Sequence, residues 1–189
     1  MKTQDRLYFD SFREVVKAVN STLDRQEVLD LLVSNVTQVM DLKACAIRML
    51  HGKKRTLELL ASHGLSERYI RKGSLDADKS IADAMEGETV SVYNATEDPR
   101  IQYPKEANDE GIGSIISVPL SCKGRVIGVL RLYTAEPREF SETELDFAEA
   151  LSEVGALAIE NARMHEAVKK DNVAIMSEMY DFVSYRRRT

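Results

Sequence analysis

Apolar residues recur along this chain with two different periods, and the switches between them divide it into elements. Near the N-terminus, Phe12, Val15, Val16 and Val19 fall at helical spacing. Asn20, Ser21 and Thr22 break the run. Asp24 reads as the N-cap of a second helix, with Glu27 completing a variant capping box and Leu23 and Val28 placed as a hydrophobic staple. That helix carries Val28, Leu31, Leu32, Val36, Val39 and Met40 as one apolar stripe. The period then falls to two. Residues 43–50 and 56–63 read as strands joined by a turn at His51–Gly52–Lys53, a hairpin. Short helices are predicted from Ser66 and after Ser80, and a short strand from Thr89 to Tyr93. Residues 94–110 are polar and carry Pro99 and Pro104, which predicts a loop with one helical turn. Residues 112–121 and 125–134 flank Lys123–Gly124 as a second hairpin. The last helix opens on a Ser141–Glu144 capping box with a Phe140–Leu145 staple, followed by Ala148, Leu151, Val154, Leu157 and Ala158. No glycine-plus-proline stop appears before about residue 170, so this helix is expected to outrun the globular body. The tail keeps Val173, Met176, Met179 and Val183 before ending in Arg186–Arg187–Arg188, too short a run for a nucleic-acid arm.

Hairpins flanked by helices imply an α+β fold around an antiparallel sheet. Alternation sorts each strand into two sets. One set is apolar: Cys45, Ile47 and Met49; Leu57, Leu59 and Ala61; Ile116, Val118 and Leu120; Gly128, Leu130 and Leu132. It should pack on the terminal helices. The other is mixed: Ala44, Ala46 and Arg48; Thr56, Glu58 and Ser62; Ile115, Ser117 and Pro119; Val129, Arg131 and Tyr133. A mostly apolar face with a few polar groups suits a cavity lining. Periodicity alone fits a partly solvated face, with Arg48, Glu58 and Arg131 in surface ion pairs, somewhat better.

Composition narrows the function. With 26 basic and 31 acidic residues among 189, the net charge of −5 argues against sequence-independent nucleic-acid binding. No stretch approaches the ~20 consecutive apolar residues of a membrane span. The N-terminus lacks the apolar core of a signal peptide. Cys45 and Cys122 lie far apart without a CxxC, which excludes a disulfide scaffold or zinc finger and fits a reducing cytoplasm. His51, His63 and His165 have no metal-ligand spacing. No Ser-His-Asp set or phosphate-cradling loop stands out; Gly111-Ile112-Gly113 precedes a strand, the wrong context for a phosphate.

The run GIGSIISVPLSCKGRVIGVLRLYT, followed by FSETELDFAEALSEVGALAIENARM, closely resembles the C-terminal half of a GAF domain of the kind found in bacterial signalling proteins. ACAIRML, ELLASHGLSERYI and GETVSVYNATEDPR fit the same pattern in order, so the resemblance covers roughly residues 10–168. It implies a central antiparallel sheet with terminal helices on one face and, on the other, a ligand pocket under loops and short helices. The expected organisation is an N-terminal helix (1–22), a GAF domain including the long helix (23–168) and a helical or disordered tail (169–189). Such domains commonly dimerise through their terminal helices and signal to an output domain. The chain therefore reads as a cytoplasmic, homodimeric small-molecule sensor, either free-standing or part of a longer protein. A homodimer would bury Leu151, Val154 and Ala158.

The family topology sets Arg48 and Arg131 on adjacent strands, where two guanidiniums suit an anionic ligand unless Glu58 neutralises one. Tyr133 shares their face. Tyr93, Arg100, Tyr103 and Ser117 lie on or near the segment that roofs the family pocket; Asp98–Pro99–Arg100 reads first as a turn. Bilin-binding relatives attach their chromophore through a middle-loop cysteine, absent from 94–111, and haem lacks a good axial ligand, His63 being the least implausible. The cofactor is left unknown. Two alternatives stand beside the sensor: a reductase of free methionine sulfoxide, which would need activated thiols, and a dimerisation scaffold with a vestigial pocket.

Overall fold

The computed structural model describes residues 3–22, 24–51, 55–77 and 81–186; beyond residue 170, side chains are described only at Asn172, Ile175 and Met176. Leu23, the Gly52–Lys53 turn, Ser80 and the terminal arginines 187–188, and the side chains of Val173, Met179 and Val183, lie outside those described. The described elements run α1 (Thr3–Ser21), α2 (Arg25–Val39), β1 (Ala44–His51), β2 (Thr56–His63), α3 (Glu67–Ile70), β3 (Leu75–Asp76), α4 (Ala82–Met85), β4 (Val90–Val92), α5 (Pro104–Glu110), β5 (Ile115–Cys122), β6 (Arg125–Tyr133) and α6 (Glu142–Arg186). The strands form one antiparallel sheet in the order β3-β2-β1-β6-β5-β4. The α+β class is therefore as expected.

Local chemistry explains where the elements begin. Asp24 accepts from the N–H groups of Gln26 and Glu27 at 2.8 and 3.4 Å, satisfying two orphan donors of α2. Its own N–H donates to Thr22 Oγ1, not to Glu27, so the reciprocal half of the expected box is made by a different residue. At α6 the box is complete: Ser141 N–H donates to Glu144 Oε2 at 2.8 Å, and Glu144 N–H to Ser141 Oγ at 3.3 Å. Lys123 and Gly124 both take positive φ, 52° and 73°, the left-handed pair that a tight β5–β6 hairpin needs.

Helices α2 and α6 cover one sheet face, and α1 packs against both of them. Leu29, Leu32, Val36, Phe147 and Leu151 pack there on Cys45, Ile47, Ile116, Val118, Leu120, Leu130 and Leu132. Tyr8 stacks on Phe147 with ring centroids 4.4 Å apart, tying α1 to α6. A Cβ on Gly155 would come within 3.2 Å of Leu32 Cδ1, so glycine lets α6 and α2 approach closely.

Two expectations need correction. The β1–β2 register shifts between Ile47, opposite Ala61, and Arg48, opposite Leu59, leaving Leu60 in a bulge. One extra residue reverses the alternation. Ala61 and Leu60 therefore join the helix-side core, while Leu57 and Leu59 face the opposite side. Glu58, opposite Met49, is exposed and lies across the sheet from Arg48. The second concerns the proposed dimer seam. Leu151 and Ala158 are buried within their own domain. Among the described residues, the large apolar side chains that α6 leaves exposed are Leu157, Met164, Val168, Ile175 and Met176.

Candidate functional site

The face away from the terminal helices carries residues that a hydrophobic core would not choose. Arg48 and Arg131 are only 3% and 2% exposed. They come from neighbouring strands: Arg48 lies opposite Val129, Arg131 opposite Ala46, so the two arginines are diagonal neighbours on one face. Ser117, also buried, lies opposite Arg131 on β5. Tyr133 is fully buried at the end of β6. The sheet thus brings four of the seven residues read from the sequence onto one patch.

Several of their polar atoms are not satisfied. Arg48 Nε and Nη2, Arg131 Nε and the Tyr133 hydroxyl are buried without a hydrogen-bond partner. Among the described residues no carboxylate comes within ion-pair distance of either guanidinium. Buried polar groups are paired in nearly all native structures, so such a cluster calls for an explanation. Arg131 lies 5.7 Å from the centroid of the Tyr133 ring, which Tyr69 meets edge-on at 6.2 Å.

The roof over this patch is α3, the turn into β3, and the segment leading into α5. Ser66 caps α3 by accepting from Tyr69 N–H at 3.2 Å. Lys72, in the turn after α3, donates to the Tyr69 carbonyl at 3.1 Å, and its ammonium sits 3.4 Å from the Tyr69 ring centroid. Gly73 follows at φ 129°, and a Cβ there would strike the Tyr103 hydroxyl at 2.6 Å. That hydroxyl donates to the Ser74 carbonyl at 3.0 Å, and Gln102 Oε1 accepts from Asp76 N–H at 2.9 Å. These bonds strap the 101–103 segment across the α3–β3 turn. Beneath the strap lies a narrow cleft with room for about one water, between Tyr69, Lys72, Leu75, Tyr103, Ile115 and Arg131.

Electrostatics follow from this packing. Burial lowers the Lys72 pKa to about 7, and Arg48 and Arg131 push it the same way against Glu110 and Glu106. Burial raises the Tyr69 phenol, with the two guanidiniums opposing. The patch is a site of accumulated positive charge.

Tyr103 is thus part of the roof, but the structure does not bring Tyr93 and Arg100 to the patch. Tyr93 is 58% exposed. Arg100 pairs with Asp98 at 2.6 Å, and its N–H donates to Asp98 Oδ1 at 2.9 Å, closing the turn on itself. Tyr69, Lys72 and Gln102 were not singled out in the sequence. The one available signal was Gly73 directly after Lys72, a glycine between short elements. Cys45 is fully buried on the helix side with its thiol pushed up by burial. Cys122 ends β5 beside the hairpin turn, and neither cysteine lines the cavity. Among the described residues no three His, Cys, Asp or Glu side chains are grouped to hold a metal ion, and no helix is long and apolar enough to cross a membrane.

Comparison with known proteins agrees with this architecture. The formate hydrogenlyase transcriptional activator of Salmonella typhimurium (strain SL1344) is 24% identical over 188 residues, 90% of this chain but 27% of that protein. The chain thus spans about a quarter of the length of this curated relative. The GAF domain of a phosphoenolpyruvate-protein phosphotransferase from Coxiella burnetii superposes with a TM-score of 0.76 at 21% identity, covering 85% of this chain and 96% of that one. The free methionine-R-sulfoxide reductase of Neisseria meningitidis superposes with a TM-score of 0.73 at 18% identity, covering 87% and 95%. At these identities the two solved structures share the fold alone. The sequence pattern described as GAF domain matches residues 22–160, most of the chain, and on that match, with the sheet order and helix placement above, the chain belongs to the GAF domain family.

Proposed function

We propose that this GAF domain is the sensing part of a signalling protein: it binds a small molecule under the 101–103 strap and reports occupancy through its terminal helices as a homodimer. One observation carries the reading. Two buried arginines with orphaned donors sit side by side on this face, Arg131 lining the roofed cleft and Arg48 one diagonal step from it, and a group left unpaired in the free protein is one that a ligand can pair. The same strands reach α6 from their other face, since Leu130 and Leu132 alternate with Val129 and Arg131. Tightening the roof onto β6 shifts the population of α6 packings.

The dimer contact that fits is the exposed α6 stripe. Leu157 and Met164 are seven residues apart, as are Val168 and Ile175, with four between the pairs. That is the spacing of a coiled-coil seam. The reductase alternative needs a thiol at the cavity, and both cysteines of the chain lie elsewhere. Native mass spectrometry of the purified chain tests the reading. A dimer retaining a small molecule, the dimer alone lost in a Met164→Glu, Val168→Glu variant and the small molecule alone lost in Arg48→Gln, Arg131→Gln, is the expected result. A monomer sinks the helix seam; a dimer indifferent to the arginine pair in every ligand assay leaves a scaffold.

A further inference from the structure

Resting on that reading, we infer that the ligand is a small dianion, a dicarboxylate or a phosphate monoester, gripped by Arg48 and Arg131 from the sheet and by Lys72 from the roof. Guanidiniums keep their charge at every accessible pH, so two buried arginines are two permanent positive charges. The exposed position of Glu58 on the opposite face removes the nearest sequence candidate for neutralising them. The acids that do act near the site come from α5, and both bear on Lys72. Of these, Glu110 is already engaged, accepting from Ser66 N–H at 2.7 Å and from its hydroxyl. A ligand carrying two negative charges balances the arginine pair; a neutral ligand would leave both charges buried and uncompensated.

Geometry selects oxyanions among dianions. The fork of a guanidinium donates two parallel N–H bonds to a carboxylate or phosphate, and orphaned Nε and Nη2 on Arg48 are one such fork. Arg131 adds an orphaned Nε one diagonal step across the sheet. Lys72 closes the third side: its ammonium is held between the rings of Tyr69 at 3.4 Å and Tyr103 at 5.8 Å, at the cavity edge. A bound dianion would also favour the protonated form of Lys72. The charged and titratable groups facing that ammonium are Arg48 on β1, Arg131 on β6, Glu106 and Glu110 on α5, and the Tyr69 and Tyr103 rings. Since the free lysine titrates near 7, binding should draw in a proton above that pH.

Isothermal titration calorimetry of the whole chain with succinate, inorganic phosphate, acetate and neutral succinamide tests this. Saturable one-to-one binding of succinate or phosphate is expected, with acetate at least about tenfold weaker and succinamide silent at about 10 mM. Which dianion wins separates dicarboxylate from phosphate. Arg48→Gln and Arg131→Gln should each weaken it about tenfold or more with a normal circular dichroism spectrum, whereas surface Arg68→Gln should not. Succinate affinity should fall by up to about tenfold per pH unit above 7, and Lys72→Arg should flatten that slope while keeping binding. Succinamide binding as tightly as succinate, or no dianion binding at about 10 mM, overturns the charge assignment. Dianion binding that persists in the double arginine variant does the same. A neutral molecule retained in the native mass spectrum would then leave the sensor reading standing without the dianion.

Discussion

Alternate residues of the same strands build the two faces of the sheet, yet the faces are organised by opposite rules. Toward the helices, Ile116, Val118, Leu130 and Leu132 are fully or almost fully buried among apolar neighbours, with no polar atom to satisfy. One residue away along the same strands, Ser117 and Arg131 are just as buried and bring polar atoms with them. The first face contributes stability. The second carries a stability cost, a pattern common where function and folding make competing demands on one surface.

The sharpest way to break this contrast is a pair of substitutions at adjacent positions of β6 that point to opposite faces. Leu132→Ala on the helix side should destabilise by about 3 kcal/mol or more in denaturant unfolding, the cost of a core cavity. Arg131→Met on the other side should stabilise the free chain, by on the order of 1–2 kcal/mol, because a buried unpaired charge is replaced by an apolar side chain of similar length. If Arg131→Met instead destabilises as Leu132→Ala does, the two faces are one core and the cavity reading loses its basis. Next in size is Ser141→Ala, which removes the capping box that starts α6 and should cost about 1 kcal/mol.

A smaller, pH-dependent effect is expected from Lys72→Gln. The folded lysine titrates near 7, below its unfolded value of 10.5, so below about 7 the burden of holding its charge is fully present. As pH rises through 7 the folded chain releases that proton first, and the native protein gains stability relative to the unfolded one. The advantage of Lys72→Gln should therefore be greatest below pH 7 and fade as pH approaches the ordinary lysine range; thermal melts across that window would show it. An advantage constant with pH would mean that neither burial nor the field of the arginines lowers the lysine. Tyr93→Ala, at an exposed position outside the patch, should change stability by no more than about 0.5 kcal/mol.

Legibility in the sequence followed the length of the repeating signal. The Ser141–Glu144 box, the 56–63 strand and the Lys123–Gly124 turn all appear where their local chemistry places them, because each rests on contacts within a few residues. The bulge at Leu60 was not legible. The run from Thr56 to His63 alternates cleanly on paper, and only its pairing with β1 shows that one residue drops out of register. The site divides the same way. Arg48, Arg131, Ser117 and Tyr133 could be sorted onto one face by period two. Lys72 and Tyr69 sit in short elements without periodicity, and only the folding of the α3–β3 segment over the sheet brings them there.

By itself, then, the amino-acid sequence determined the elements, the α+β class and the apolar face of β1, β5 and β6, since these depend on periodicity and on caps formed between near neighbours. Tertiary structure alone decided that Glu58 lies across the sheet from Arg48, that Leu151 and Ala158 are spent on the domain's own core, and that Lys72 is brought within the field of Arg48 and Arg131. Those outcomes depend on register and on contacts between residues far apart in the chain, where a one-residue slip changes which face a side chain occupies.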